Sequence, residues 1–195
     1  MDIKNTVTKQ LHESAEIKQQ IAETCVPDIE KLVHCICESL KSGGKILLCG
    51  NGGSAADSQH IAAELVGRFQ MERDGFAAIA LTTDTSILTS LGNDYGFQTI
   101  FQRQVEALGK SGDVLIGLST SGQSENVALA MKTAKSMNIK TVAFMGRREG
   151  GIKDFADISI QIPSDNTARV QEGHITVAHI MCDLIEKMIT GKDGD

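Results

Sequence analysis

Residues 46–64 read Ile-Leu-Leu-Cys-Gly-Asn-Gly-Gly-Ser-Ala-Ala-Asp-Ser-Gln-His-Ile-Ala-Ala-Glu. A short apolar run, Ile46 to Cys49, stops at Gly50, a loop of small residues follows through Ser54, and a helical pattern begins after it. Strand, glycine loop and helix in that order make a unit whose loop aims backbone N–H groups at an anion. His60 and Glu64 stand four residues apart, so they share a face of that helix. Gly50, Gly52 and Ala55 also fit the G-x-G-x-x-A dinucleotide pattern. The acid that should hold a ribose is not in place, since Glu72 falls in a polar turn and Asp84 lies beyond the next strand. No Lys-Ser/Thr pair makes a nucleoside-triphosphate loop.

Outward from this unit the chain alternates. Apolar runs predict strands at 45–49, 76–81, 114–118, 141–144 and 158–162. Helical patterns fall between them: 55–68, a short one to about Leu91, one through Leu108, 125–137, and a last one from about Ala168 to Ile189. Gly92-Asn93-Asp94-Tyr95-Gly96 reads as a turn and 146–151 as a charged loop. Continuously apolar strands separated by helices mean a parallel sheet covered on both faces. The polar loops at 50–54, 82–84 and 119–124 all follow strands, so they should meet along one edge. Upstream, Ile3, Val7, Leu11, Ile17 and Ile21 draw a narrow stripe on a long helix, a pattern that suits packing against another subunit. Pro27 opens a second helix, which Ser42-Gly43-Gly44 ends.

Composition narrows the function classes. The chain has 195 residues and a formal net charge of −6, with no Lys/Arg run, which argues against nucleic acid. The N-terminus lacks the pattern of a secretory signal and no segment approaches a membrane span, so a cytoplasmic location is expected. The five cysteines form no C-x-x-C pair and fall mostly in apolar runs, which suits buried reduced thiols.

Two further stretches carry chemistry. Ser119-Thr120-Ser121-Gly122-Gln123-Ser124 puts four hydroxyls between a buried strand and a helix start. A serine cap would explain one of them; four suit a phosphate monoester at a helix N-terminus, with no lysine required. In the last helix Gln171 and His179 are eight residues apart and lie on nearly one face, with Glu172 and His174 close by. Together with His60 and Glu64 they would suit a borderline divalent ion such as zinc. Equally, Glu64 and His179 could serve as an acid–base pair.

These motifs, with Gly92-Asn93-Asp94 and Ala168-Arg169-x-Gln171-Glu172-x-His174, closely resemble the bacterial phosphoheptose isomerases of the sugar-isomerase (SIS) superfamily. The likeness runs in the same order over nearly the whole chain. It implies one SIS domain over 1–195: a flavodoxin-like three-layer α/β/α sandwich on a five-stranded parallel sheet. Residues 1–42 would be N-terminal oligomerisation helices and 43–195 the α/β core. It implies a homotetramer with sites at subunit contacts, and conversion of sedoheptulose 7-phosphate to D-glycero-D-manno-heptose 7-phosphate for surface-glycan heptose. By matching position, Ser119, Thr120, Ser121 and Ser124 would hold the phosphate, and Asn51, Gly52, Gly53, Asn93, Asp94 and Gln171 would contact the sugar. Glu64 and His179 would transfer protons, Glu64 also touching the substrate. His60, Glu64, Gln171 and His179 would hold one zinc per subunit. Arg68 and Arg169 would be further partners for anions. Some relatives have an Asp where this chain has Ala168. The strongest rival is a non-catalytic SIS protein that binds a phosphosugar or a replication initiator. The initiator-associating relative lacks the acid and the imidazole that Glu64 and His179 supply here.

Overall fold

A computed structural model describes residues 1–148 and 150–191; Glu149, inside the expected 146–151 loop, and the last four residues of the expected core range lie outside them. Two helices, α1 (Ile3–Thr24) and α2 (Val26–Lys41), precede strand β1 (Ile46–Gly50), helix α3 (Gly53–Val66) and strand β2 (Ala78–Ala80). There follow α4 (Thr85–Tyr95), α5 (Gln102–Leu108), β3 (Val114–Ser119), α6 (Glu125–Ser136), β4 (Lys140–Met145), β5 (Ile158–Gln161) and α7 (Thr167–Thr190). The five strands form one parallel sheet in the order β2-β1-β3-β4-β5.

Every residue of β1 and β3 is buried, as continuous apolar runs in a parallel sheet require. Successive side chains serve opposite layers. Ile46, Leu48, Ile116 and Phe144 pack with α2, α3, α7 and the end of α1 on one face. Leu47, Cys49, Leu115 and Met145 pack with α5 and α6 on the other. The strand order reverses between β1 and β3, a switch point of the kind where such sheets bind ligands beyond the carboxyl ends of their strands.

Three local expectations change. The 92–96 turn is helix as far as Tyr95: Asp84 caps the start by accepting from the Ile87 N–H at 2.9 Å, and Leu88 and Leu91 pack on the second core cluster. Gly96, at φ +90, ends that helix, and a 3₁₀ turn over Phe97–Thr99 precedes α5. A second 3₁₀ turn over Gly151–Phe155 follows the charged loop. Strand β2 is only three residues long at the sheet edge. In α1, Ile21 is buried, whereas Ile3, Val7 and Leu11 are exposed, so three of the five residues of the apolar stripe have no cover within the chain.

Among the described residues the cysteines are all free; Cys25, Cys37, Cys49 and Cys182 are buried and Cys35 is half-buried. Burial pushes the Cys49 thiol up to about 12, so it stays protonated and inert.

Candidate active site

The site begins where β1 ends. Gly52 has φ +57, a conformation that glycine adopts without strain. At Gly53 a Cβ would stand 2.2 Å from the Gln171 side-chain nitrogen, so α3 and α7 meet here with room for no side chain. Gln171 thus reaches the glycine loop. Asn51 is held from the opposite side: its amide and that of Asn126, in the first turn of α6, exchange two hydrogen bonds of 2.9 and 2.8 Å. This pair ties the β1 loop to the head of α6 across the switch point.

In the β3 loop the cap explanation fails. Ser124 sits at the N-cap of α6 without giving a side-chain cap bond. Its hydroxyl lies 2.8 Å from that of Ser119, the last residue of β3, and the Ser121 hydroxyl is 3.5 Å from Ser119. The Ser121 oxygen accepts from the Gln123 N–H. The Thr120 and Gly122 carbonyls accept from the N–H groups of Gly146 and Ile152, which pin the loop to the end of β4 and the turn beyond it. Three hydroxyls therefore cluster at the N-terminus of α6, where the helix dipole favours an anion.

Two turns along α3, His60 Nε2 lies 3.0 Å from Glu64 Oε1, and His179 Nε2 comes within 3.5 Å of His60 Nε2 from α7. One ligand atom from each of the three lies within 4.8 Å of the others. Donors about 2 Å from a tetrahedral zinc stand roughly 3.3 Å apart, so the 3.0 and 3.5 Å pairs and this His/Glu chemistry suit such an ion.

The remaining expected residues have other immediate partners. Asn93 and Asp94 pair with each other at 2.8 Å on the last turn of α4 and are exposed. Thr82 lies against α3, with its hydroxyl 3.3 Å from the Ala55 carbonyl. Arg68 meets Glu72 at 3.5 Å. Arg169 is buried and spent on Glu172 and the Gln10 carbonyl, and Glu172 also accepts from Ser14 at 2.7 Å. Arg169 and Glu172 therefore form a clasp between α1 and α7. Burial raises the Glu172 carboxyl, but Ser14 and Arg169 outweigh it and hold it below the usual range. His174 is fully buried, edge-on to Phe144 with centroids 5.6 Å apart, and is no part of the cluster.

Sequence reasoning missed Asn126 and a network behind Glu64. Glu186, on α7 and 1% exposed, accepts the backbone N–H groups of Phe69, Gln70 and Met71 at 2.7, 2.9 and 3.0 Å. It also accepts from Arg73 Nε at 2.8 Å. Burial pushes its carboxyl up, but these four donors prevail and hold it below the ordinary value. Arg73 further donates to the carbonyls of Glu64 and Leu65, both at 2.9 Å. The Phe69 ring stacks on His179 with centroids 5.4 Å apart and planes at 28°. Asp57, one turn before His60, has a buried Oδ2 with no partner among the described residues; burial raises its carboxyl and His60 opposes this.

A doubly wound sheet with a hydroxyl loop at its switch point and a His/Glu cluster between α3 and α7 fits an α/β domain that handles small anionic ligands, and residues 10–146 match the SIS domain family. A phosphoheptose isomerase from Clostridium acetobutylicum is 50% identical over 99% of this chain and 100% of its own length. The solved structure of a phosphoheptose isomerase from Neisseria gonorrhoeae superposes with a TM-score of 0.90 at 44% identity, covering 95% of this chain and 99% of that one. One from Francisella tularensis gives 0.92 at 37% identity, covering 96% and 100%. The chain belongs to the phosphoheptose isomerase family, whose members are isomerases of the SIS fold.

Proposed function

We propose that this chain is a ketose–aldose isomerase converting sedoheptulose 7-phosphate to D-glycero-D-manno-heptose 7-phosphate, the first step towards ADP-heptose for lipopolysaccharide or related glycans. The observation that carries this reading is the meeting of Glu64, His60 and His179 from α3 and α7, in a chain of this family whose β3 loop gathers hydroxyls at the head of α6. The reaction moves one proton between adjacent carbons through an enediol and a second between their oxygens. Glu64 takes the carbon-bound proton, and His179 serves the oxygens, each contributing on the order of 10²–10⁴ in rate. Ser119, Thr120, Ser121 and Ser124 bind the phosphate at the head of α6 and set the register of the sugar. Asn51, Gly52, Gly53, Asn93, Asp94 and Gln171 contact its hydroxyls.

His60, Glu64 and His179 would hold one zinc per subunit, with Gln171, which lies against Gly53 here, as the expected fourth ligand. Such an ion, when bound, would supply Lewis-acid polarisation of the substrate carbonyl. The exposed stripe of Ile3, Val7 and Leu11 supports the homotetramer, with residues 1–42 as its oligomerisation helices on one SIS domain over 1–195. No helix among the described residues is long and apolar enough to cross a membrane, in keeping with a cytoplasmic place, and the acidic balance suits a small-molecule partner over nucleic acid. The presence of both Glu64 and His179 speaks against the initiator-associating alternative.

The test is proton NMR of the purified protein with sedoheptulose 7-phosphate, with metal analysis of the same sample. An aldoheptose 7-phosphate anomeric signal is expected. No conversion, with or without added zinc, would overturn the enzyme and leave a binding role.

A further inference from the structure

We infer that Phe69 is a positioning residue for His179, and that the Glu186–Arg73 pair is built to hold Phe69 against it. The inference rests on the reading of His179 as the proton-transfer imidazole.

An imidazole turns about a broad, roughly two-fold terminal torsion, so packing must choose its plane. At His179 two rings do so: Phe69 lies nearly parallel, planes at 28°, and His60 stands across it, centroids 5.1 Å apart and planes at 70°. Phe69 belongs to no helix or strand. Its place is set by Glu186, which collects three consecutive backbone N–H groups, from Phe69, Gln70 and Met71. Glu186 lies seven residues beyond His179 on α7, two turns along the same face. One helix therefore carries both the imidazole and the carboxylate that fixes the ring stacked on it. Arg73 closes the arrangement. Its Nε holds Glu186, and its Nη2 donates to the backbone carbonyl of Glu64 at 2.9 Å. A single guanidinium thus joins the end of the helix bearing the proposed base to the helix bearing the proposed acid.

The plainer account is a buried ion pair that closes the C-terminus of α3. It explains the Arg73 bonds to the Leu65 and Glu64 carbonyls. It does not explain a carboxylate spent on three N–H groups of the segment whose ring covers His179. A buried pair is in itself a poor source of stability, since apolar residues of the same volume do as well. What it supplies is a fixed geometry, and here that geometry ends at His179.

The experiment compares Phe69→Leu, Phe69→Tyr and Glu186→Gln with His179→Gln in the same turnover assay, and records ¹³C-histidine NMR of each without substrate. Phe69→Leu should lower kcat by about tenfold to a hundredfold with KM changed by less than about twofold. The His179 ring protons should lose their ring-current displacement and their cross-peaks to residue 69. Phe69→Tyr, which keeps the ring, should restore both. Glu186→Gln should weaken the same cross-peaks by loosening the segment. Wild-type kcat in Phe69→Leu, or unchanged His179 signals there and in Glu186→Gln, would overturn the positioning role. Normal turnover in His179→Gln would overturn the reading beneath it, and the cross-peaks tell the two failures apart.

Discussion

His174 and His179 lie five residues apart on α7, so roughly 140° of helical turn separates them. His174 points into the core, 0% exposed, edge-on to Phe144 and with neither ring nitrogen in a full hydrogen bond. His179 is half-buried, with its Nε2 turned to His60 and a ring stacked behind it. One has been sealed away from any proton. The other has been oriented while its nitrogen stays available. The same side chain becomes packing or chemistry according to whether the fold leaves its polar atom to a ligand.

Breaking the second half of that comparison has the largest expected effect. Glu64→Gln and His179→Gln should each lower kcat by about 10²–10⁴, while His174→Leu should keep turnover at pH 7.5 within about threefold. The NMR conversion assay checks all three, with zinc content measured alongside. Near-normal turnover in Glu64→Gln with intact zinc would remove Glu64 as the base.

The first half is sharpened by acid. Burial lowers the His174 pKa from 6.5 to about 4, with the Met145 backbone pulling weakly upward. The unfolded chain takes up a proton below about pH 6.5 that the folded chain refuses until about pH 4. Stability from this group is therefore complete above the unfolded value and drains away as pH falls through that window. The shift corresponds to about 3 kcal/mol. His174→Leu should lose that part of the slope, so urea unfolding between pH 6.5 and 4 should be flatter in the variant. An equally steep acid limb would mean that carboxylates, and not His174, set it.

The sequence could show the sheet because burial on both faces leaves a mark in consecutive residues, as in Leu47, Leu48 and Cys49. It could show the hydroxyl loop because all four hydroxyls are local. It misjudged 92–96, where breaker residues stay helical because Leu88 and Leu91 gain a core. It also placed Glu172 and His174 beside the site, since spacing on a helix tells neighbours from strangers only to within a turn. Asn126, Phe69 and the Arg73–Glu186 pair left no local mark at all. Their partners stand 75 to 117 residues away in sequence, and only packing brings them together.

Asn126 gives the smallest expected effect and the finest form of the comparison. Like His174 it is buried, and like His179 it adjoins residues of the proposed site, but its amide is already satisfied by Asn51. Its task is then to hold Asn51, and losing it should cost the sugar about one ordinary hydrogen bond from Asn51, roughly 1 kcal/mol. Asn126→Ala should accordingly raise KM about fivefold with kcat nearly unchanged, because the reacting carbons still meet Glu64. Asn126→Asp keeps an acceptor for the Asn51 amide but adds a negative charge at the head of α6. If the phosphate sits there, that variant should raise KM further than alanine does, and the excess should shrink as salt screens it. Equal KM values for the two variants at low salt would place the phosphate elsewhere, and the hydroxyls of Ser119, Ser121 and Ser124 would need another ligand.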